Sequence, residues 1–265
     1  MLKVIAFFSF FLVTLLSSAE AQAGILADRL ASFPHWESKP LVASAKGDLI
    51  YPEWMAGNWT VESTLVDLAA PLAPDIVTPG FDSNRQYLNQ PVRFKVRFQA
   101  VNAQLNTMSL VENLPASKSN LLTGGDKNHN KIVADRAFNG LNIGRAYLGD
   151  NGVLSVKVDP HNPNRQITLL KGDQQLVYII TNRGSEMPEK NEFIATEISQ
   201  QIFQGESQIY LNEVETTTAY QFLESDNKIL AYQVTAIYLS PQDPDYFAAI
   251  GRPVALYRYH LKLVK

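Results

Sequence analysis

The chain has 265 residues, with 23 lysines and arginines against 26 aspartates and glutamates, and a formal net charge of −3. This near-neutral balance argues against nucleic acid or an anionic membrane surface as the main partner. The absence of cysteine excludes disulfides, thiolate nucleophiles, iron–sulfur clusters and cysteine zinc sites. A chain of this length can bury a substantial core as one domain.

Residues 1–23 have the pattern of a secretory signal peptide. Lys3 supplies a positive charge, residues 4–16 are almost wholly apolar, and small residues then offer cleavage after Ala21 or after Ala23. The apolar run is shorter than the roughly 20 residues that a membrane-spanning helix requires. We expect this segment to be removed on export by the general route, which leaves no integral membrane span; an uncleaved anchor is the alternative.

Residues 24–50 are predicted to form an N-terminal arm. Apolar residues at helical spacing begin it, and Pro34 ends the short helix that they predict. The arm is expected to lie over one end of the following domain, with Trp36 and Trp54 as buried packing anchors or, alternatively, as ligand-stacking residues.

The pattern of strands and turns in residues 51–265 predicts one all-β domain. A proline turn at Pro52 leads into a strand that holds Trp59, and residues 92–101 alternate most clearly, with Phe94, Val96 and Phe98 on one face and basic residues on the other. Turn residues separate further strands, which brings the total to nine or ten with almost no helix between them. This pattern predicts a single antiparallel up-and-down β-barrel of about 8–10 strands, with the arm and one short helix added.

A polar cluster interrupts the strands. Asp135, Arg136, Asn139, Asn142 and Arg145 fall on a strand end and a helical turn predicted at about residues 138–148. Such a cluster can be a binding site, or a fixed corner in which arginines satisfy loop carbonyls. Both alternatives stay open.

Catalytic chemistry has little support. The four histidines lie far apart without metal-ligand spacing, and no nucleophile elbow or phosphate-binding glycine loop occurs. Glu213 and Glu215 share one strand face, and we interpret them as surface glutamates on an outer face rather than as an acid–base pair. We expect no catalytic residue, no metal site and no cofactor, and an enzyme is the least favoured class.

Tyrosines recur on the last long hairpins. Alternation groups Tyr220 with Phe222, Tyr232 with Val234, and Tyr257 with Tyr259 and Leu261. Inward-facing tyrosines would give an apolar wall with hydroxyls that orient a ligand, or they would fill the barrel solidly. The predicted ligand-binding residues, aromatic for the wall and basic for a polar anchor near the mouth, are Trp59, Arg136, Arg145, Tyr220, Tyr232 and Tyr257.

Gly57-Asn58-Trp59, together with Arg258 on the final strand, resembles the calycins, the superfamily of lipocalins and fatty-acid-binding proteins. In those barrels a Gly-x-Trp on the first strand is closed off by an arginine from near the last strand. The resemblance implies that Gly57, Trp59 and Arg258 form a structural closure at the barrel base. Alternation places Arg258 opposite the tyrosines of its strand, so its direction stays open.

Three longer motifs resemble an uncharacterised family of cyanobacterial and plastid proteins. They are Asp48-Leu49-Ile50-Tyr51-Pro52-Glu53-Trp54, Asp135-Arg136-Ala137-Phe138-Asn139 and Asp159-Pro160-His161-Asn162-Pro163-Asn164-Arg165-Gln166. The resemblance implies an oxygenic phototroph and a thylakoid lumen or periplasm, and it brings no known activity. The polar residues that mark these motifs are Asp135, Arg136, Asn139, Asn164 and Arg165.

Two functions follow from these patterns. The first is an exported, non-enzymatic β-barrel that binds a small apolar ligand such as a lipid, a quinone or a pigment-like molecule. The second is a solid barrel that acts as an assembly or interaction factor for a membrane complex, through Trp36, Trp54 and the corner at residues 135–145. An interior cavity of roughly a few hundred Å³ favours the first function, and a filled interior favours the second.

Overall fold

The structure is a computed structural model that describes residues 24–101, 131–205 and 209–265. The predicted signal peptide, residues 1–23, lies outside the described residues. Short 3₁₀ helices occur at Glu53–Met55, Asp82–Tyr87 and Glu224–Asp226. In chain order the helices and strands are α1 (Ile25–Ala31), β1 (Ala43–Ser44), β2 (Gly57–Ala69), β3 (Pro91–Val101), β4 (Lys131–Ala134), α2 (Arg136–Leu148), β5 (Val153–Asp159), β6 (Asn162–Leu170), β7 (Gln175–Glu186), β8 (Glu192–Gln204), β9 (Ile209–Leu223), β10 (Lys228–Leu239), α3 (Tyr246–Ala249) and β11 (Ala255–Val264).

One curled antiparallel sheet forms the body of the protein. Its strand order is β4-β3-β2-β11-β10-β9-β8-β7-β6-β5, so strands that follow one another pair from β2 to β4 and from β5 to β11, and the last strand returns to pair with β2. The predicted all-β class and antiparallel meander are confirmed. The sheet is a half-barrel of ten strands rather than a closed barrel, because no ladder joins β4 to β5 among the described residues.

Helix α2 occupies the opening between β4 and β5. It begins two residues before the predicted turn, because the Asp135 carboxylate accepts a hydrogen bond from the Phe138 N–H at 3.0 Å and caps the first turn. Two glycines face β5 and β6: a Cβ on Gly144 would come within 2.8 Å of Val153 Cγ2, and Gly140 is equally close to Gln166. The lack of side chains at these positions lets the helix lie tightly against the strands.

The N-terminal arm covers the outer face of the sheet, which corrects the expectation that it lies only over one end. Trp36 packs against Val234 and Tyr238 of β10, and Arg29 forms an ion pair with Glu215 of β9. Glu215 is therefore fully buried, and the prediction of a surface glutamate is wrong. The prediction that Glu215 lies on the outer face is correct, but the N-terminal arm, which is distant in sequence, covers that face.

The arm then passes around the sheet and closes one end of the half-barrel. Strand β1 pairs with β7, and the chain continues to the Tyr51 N–H, which donates to Ile132 O at 2.9 Å. Trp54 stacks on Phe222 with ring centroids 5.5 Å apart, and the Trp59 indole donates to Met55 O at 2.7 Å. Apolar rings thus fill this end.

The opposite end is covered by the proline-containing loop after β2 and by the segment around α3. Phe81 of the loop packs on Tyr257 with ring centroids 5.9 Å apart. In the segment around α3, Ala249 and Val254 are buried against Leu239 of β10. With both ends covered, the remaining interior space lies in the middle of the half-barrel.

Candidate ligand cavity

A cavity of about 320 Å³ lies between the inner face of the sheet and helix α2. Ile143 contributes from the helix, and the apolar strand residues of the wall come from β2, β3, β4 and β11. The face of β3 that carries Phe94, Val96 and Phe98 points into the cavity. The apolar strand residues are Val61, Phe94, Val96, Phe98, Ala134, Leu261 and Leu263.

Polar but uncharged side chains form the rest of the wall. Ser63, Asn139, Gln233 and Thr235 come from β2, α2 and β10, and no described lining residue carries a formal charge. A smaller space of about 130 Å³ shares Ser63 with the cavity and extends toward the loop after β2. The lining tyrosines are Tyr51, Tyr147, Tyr220 and Tyr259.

The tyrosine hydroxyls around the cavity stay protonated at neutral pH. Burial raises the pKa of Tyr220 to about 12. Burial also raises the pKa of Tyr259, with Tyr147 and Tyr257 adding to the effect. The pKa of Tyr51 lies well above its usual value, first because of burial and then because of nearby Tyr220 and Glu197, which outweigh the opposing effect of Arg136 and Arg183. These hydroxyls can therefore donate hydrogen bonds to a ligand.

A buried ionic cluster stands beside the cavity. Glu197 Oε1 receives Arg136 Nη2 at 2.9 Å and Arg183 Nη2 at 2.8 Å. Arg136 Nε also lies 3.1 Å from Asp48 Oδ1, and Arg183 donates to Asn164 Oδ1 at 2.7 Å. Burial alone would lower the pKa of Arg136, but Glu197 outweighs it and raises the pKa. Both guanidinium groups are thus engaged by protein acceptors.

Neither arginine that was predicted as a polar anchor lines the cavity. Arg136 is held by Glu197 and Asp48, and Arg145 lies toward β5, where its Nε is 3.5 Å from Val153 O. This placement corrects the anchor hypothesis, because the helix presents these side chains to the sheet edge rather than to the interior.

The Asp135–Asn139 motif docks α2 against β3. Arg97 Nη2 lies 2.6 Å from Asp135 Oδ2, and its guanidinium lies 4.4 Å from the centre of the Phe138 ring. Asn139 accepts from the Arg97 N–H at 2.7 Å and donates to Arg97 O at 3.2 Å, so its amide replaces a strand partner. These contacts correspond to the fixed-corner alternative.

The third motif forms the hairpin between β5 and β6. Asp159 accepts from the His161 N–H at 2.9 Å and forms an ion pair with Arg165 at 3.2 Å. Asn164 reaches the buried ionic cluster through Arg183. Asp159, Asn164 and Arg165 therefore each have a polar or charged partner within the fold, which explains why polar residues occupy these positions.

The predicted aromatic wall is brought together only in part. Tyr220 lines the cavity, whereas Trp59 lies in the apolar packing of the closed end. Tyr257 lies under the loop after β2, where its hydroxyl accepts from Asn84 Nδ2 at 3.0 Å. Tyr232 is 53% exposed on the outer face, edge-on to His260. Tyr232 and Val234 lie on the same face of β10, and the prediction that this face points inward is therefore wrong.

The expected closure of Trp59 by Arg258 is absent. Arg258 lies on the outer face, 3.1 Å from Asp67 and over the Phe33 ring. Strand alternation places it opposite the inward-facing Tyr259. Lys265 instead lies over the Trp59 ring at 4.9 Å, and Gly57, at a φ of 118°, begins β2 beside it.

Sequence reasoning missed several lining residues. Alternation grouped Tyr259 with Tyr257 and Leu261, but Tyr259 was not among the predicted ligand-binding residues. Gln233 and Thr235 were missed because the apolar residues of β10 were assigned to the inside. Tyr147 was missed because only the polar residues of its helix, from Asp135 to Arg145, were considered as a binding site or a fixed corner. The spacing of Ile143 and Tyr147, one helical turn apart, is the signal that could have identified this wall.

No helix within residues 24–101, 131–205 and 209–265 is both long and apolar enough to cross a membrane. In the same part of the chain, no three His, Cys, Asp or Glu side chains form a group that could hold a metal ion.

Comparison with known proteins identifies the family. The family described as "Domain of unknown function (DUF6816)" matches residues 43–265, which include every strand of the half-barrel. Neither the curated proteins nor the solved structures gave a match. Because the match covers most of the chain, the protein belongs to the DUF6816 family.

Proposed function

We propose that the protein is an exported, non-enzymatic binding protein that holds a small apolar ligand in the cavity between the half-barrel and α2. The observation that carries this proposal is the cavity itself. Its volume of about 320 Å³ falls at the lower end of the roughly 300–1,000 Å³ usual for ligand sites. Its apolar wall with a few oriented hydroxyls is the lining that such ligands require.

The fold surrounds part of the cavity, which stays partly open to solvent. Aromatic packing around Trp59 closes one end, and Phe81 with its loop covers the other. Helix α2 adds a wall and is fixed by Asn139 to the backbone of β3. A ligand held there would lose water from the apolar surface that meets these walls, and this burial would be the main source of affinity.

Titration of the purified protein with lipids, quinones and pigment fragments tests the proposal. The protein is expected to bind one of these classes saturably, and a Ser63→Phe variant that fills the cavity is expected to lose binding. The matched control is Thr64→Phe, since Thr64 is the next residue of β2 and faces outward toward His260. Absence of saturable binding by all three classes would contradict the function.

The second candidate function is an interaction factor for a membrane complex. The surface predicted for it is largely buried, since Trp36 of the arm packs against the outer face of the sheet. One other observation favours the idea: Phe247 and Ile250, beside α3, are 78% and 74% exposed. A Phe247→Ser variant should lose cross-linking to solubilised membrane complexes if this surface binds them, and unchanged cross-linking would count against it.

Export and origin form a separate part of the proposal. We propose that residues 1–23 direct the chain to a periplasm or thylakoid lumen of an oxygenic phototroph. The cysteine-free sequence, the signal pattern and the motif resemblance support this location. A distant relation to the calycins is supported by the paired first and last strands of the meander. Fusion of residues 1–23 to a reporter, followed by fractionation, tests the location.

A further inference from the structure

We infer that the cavity takes an uncharged ring compound whose carbonyl oxygens accept hydrogen bonds, and that it rejects carboxylates such as fatty acids. This inference rests on the proposed binding function and specifies the ligand class. It follows from the charge, the hydrogen-bonding capacity and the size of the cavity.

The cavity offers no cation to an anionic ligand. No described lining residue is charged, and the neighbouring Arg136 and Arg183 are bonded to Glu197 and to further acceptors. A carboxylate that entered would lose its hydration without gaining a counter-ion, which is strongly unfavourable in an apolar site. A neutral ligand avoids this cost.

The amide groups of the wall are already engaged by the protein. Asn139 bonds both atoms of its amide to the Arg97 backbone. Gln233 accepts from Thr218 at 3.2 Å and donates to Thr235 at 3.4 Å. Each amide is thus held in place by the protein and uses part of its hydrogen-bonding capacity there, so the hydroxyl groups of the wall are the freer source of polar specificity for a ligand.

The tyrosine hydroxyls supply that specificity. Tyr51, just after the arm, and Tyr259 of β11 line the cavity, and neither hydroxyl forms a hydrogen bond with another described residue. A protonated phenol needs an acceptor when it is covered by a ligand, since a buried donor without a partner is unfavourable. A carbonyl oxygen meets this need without bringing a charge.

The volume limits the size of the ligand. At about 30 Å³ for each water in the liquid, the cavity of about 320 Å³ holds the space of roughly ten waters. This space suits one or two small rings and is too small to enclose a long acyl chain. Phe94 and Leu261 lie two strands apart on the inner face of the sheet, and Ile143 of α2 lines the same cavity, so the wall offers apolar surface to such a flat compound.

Three probes of similar shape test the inference: 2-methyl-1,4-naphthoquinone, 2-naphthoate and 2-methylnaphthalene. We expect the quinone to bind at least tenfold more tightly than the carboxylate, and more tightly than the hydrocarbon, by calorimetric titration of the full mature chain. Tyr259→Phe should weaken quinone binding about fivefold and leave hydrocarbon binding unchanged. The control Tyr232→Phe, on the outer face, should change neither.

The outcomes separate the inference from the proposed function. Naphthoate binding as tight as quinone binding would overturn the ligand class while leaving the cavity function in place. Hydrocarbon and quinone binding of equal strength would overturn the role of the hydroxyls. If none of the probes binds saturably, the ligand class and the cavity function both fail.

A different observation carries a second inference: the geometry points to Gly24 as the first residue of the exported chain. The Glu186 carboxylate lies directly against Gly24, where an added Cβ would overlap it, and Glu186 Oε1 accepts from the Leu26 N–H at 3.0 Å. Glu186 Oε2 is buried and has no hydrogen-bond partner among the described residues. A charged donor at Gly24 would satisfy it.

Hydrolysis of the peptide bond before Gly24 would create that donor. Water adds across the bond, so the preceding residue keeps a carboxylate and Gly24 gains an α-ammonium group. The Gly24 nitrogen lies within about 4.5 Å of Glu186 Oε2, since a nitrogen and a Cβ on one Cα are about 2.5 Å apart. Cleavage after Ala21 would instead place the ammonium two residues away from this carboxylate.

Intact mass and N-terminal sequencing of the protein from its own host test this assignment. A chain that begins at Gly24 is expected; a chain that begins at Gln22, or one that keeps residues 1–23, would overturn it. In a second measurement, a chain that begins at Gly24 should melt at a higher temperature than one that begins at Gln22. Glu186→Gln should abolish that difference, and a difference that survives the substitution would overturn the ion pair.

Discussion

Removal of the Arg29 guanidinium should destabilise the protein severely, because it leaves a carboxylate buried without its cation. The Glu215 side chain has no exposed surface, and Arg29 is only 11% exposed. Arg29 Nε and Nη2 lie 2.5 and 2.7 Å from the two carboxylate oxygens, and Tyr238 and Thr217 donate at 2.8 and 2.9 Å. The two neutral donors cannot replace the positive charge.

The expected loss for Arg29→Met is about 3–5 kcal/mol in the free energy of unfolding, the usual cost of removing one partner of a buried ion pair. At about 2–4 °C per kcal/mol for a domain of this size, the melting temperature should fall by roughly 6–20 °C. Replacing both residues, as Arg29→Met with Glu215→Met, should recover much of the loss, because no buried charge remains.

Guanidinium denaturation measures these changes, with Arg93→Met as the control. Arg93 forms an equally close ion pair with Glu62, at 2.7 Å, but its side chain is 74% exposed. The control should lose less than about 1 kcal/mol, as exposed ion pairs do. If Arg29→Met costs no more than Arg93→Met, the burial of the arm on the sheet is refuted.

Three further predictions concern the cavity wall. Asn139→Ala should cost about 1–3 kcal/mol and speed hydrogen exchange in α2, because it leaves the Arg97 N–H without its acceptor, while Arg97 O keeps its hydrogen bond from the Asp135 N–H; unchanged exchange would oppose this role. Gly144→Leu should cost about 1–3 kcal/mol by forcing α2 away from Val153, measured by denaturation, with no loss contradicting the tight fit. The folded pKa of Tyr220, about 12, lies above its unfolded value of about 10, so the unfolded chain loses that proton first. The free energy of unfolding should therefore fall as pH rises from about 10 to 12, and absorbance at 295 nm should show late-titrating tyrosines; titration of every tyrosine near pH 10 in the folded state would contradict this.

The strands were predictable because their residues alternate and their turns contain glycine, asparagine and proline. On β3, Phe94 and Val96 face the interior while Arg93 faces solvent, so period-two alternation and burial agree. The helix was found within two residues, and its start was missed only because Asp135 caps it through a side-chain contact.

The inward face of β10 could not be predicted because both of its faces are covered. Its apolar face, with Val234 and Ala236, lies outside beneath Trp36, and its polar face, with Gln233 and Thr235, lines the cavity. Alternation gives two sets but does not say which one faces inward when a distant segment buries the outer set. The contact that decides it joins residues far apart in the chain.

The burial of Glu215 was unpredictable for the same reason. Its partner Arg29 lies 186 positions earlier. Nothing local to β9 distinguishes a buried glutamate with such a partner from a solvated one. The opening of the barrel was equally hidden, since it depends on α2 fitting between two strand edges through Gly140 and Gly144.

Native mass spectrometry of the protein purified from its own host tests the cavity function most directly. The wild-type chain is predicted to retain a neutral adduct that the cavity-filling Ser63→Phe variant lacks and the outward-facing Thr64→Phe variant keeps, with all three folded by circular dichroism. A bare protein mass for the wild type, or an adduct kept equally by Ser63→Phe, would contradict ligand binding in the half-barrel.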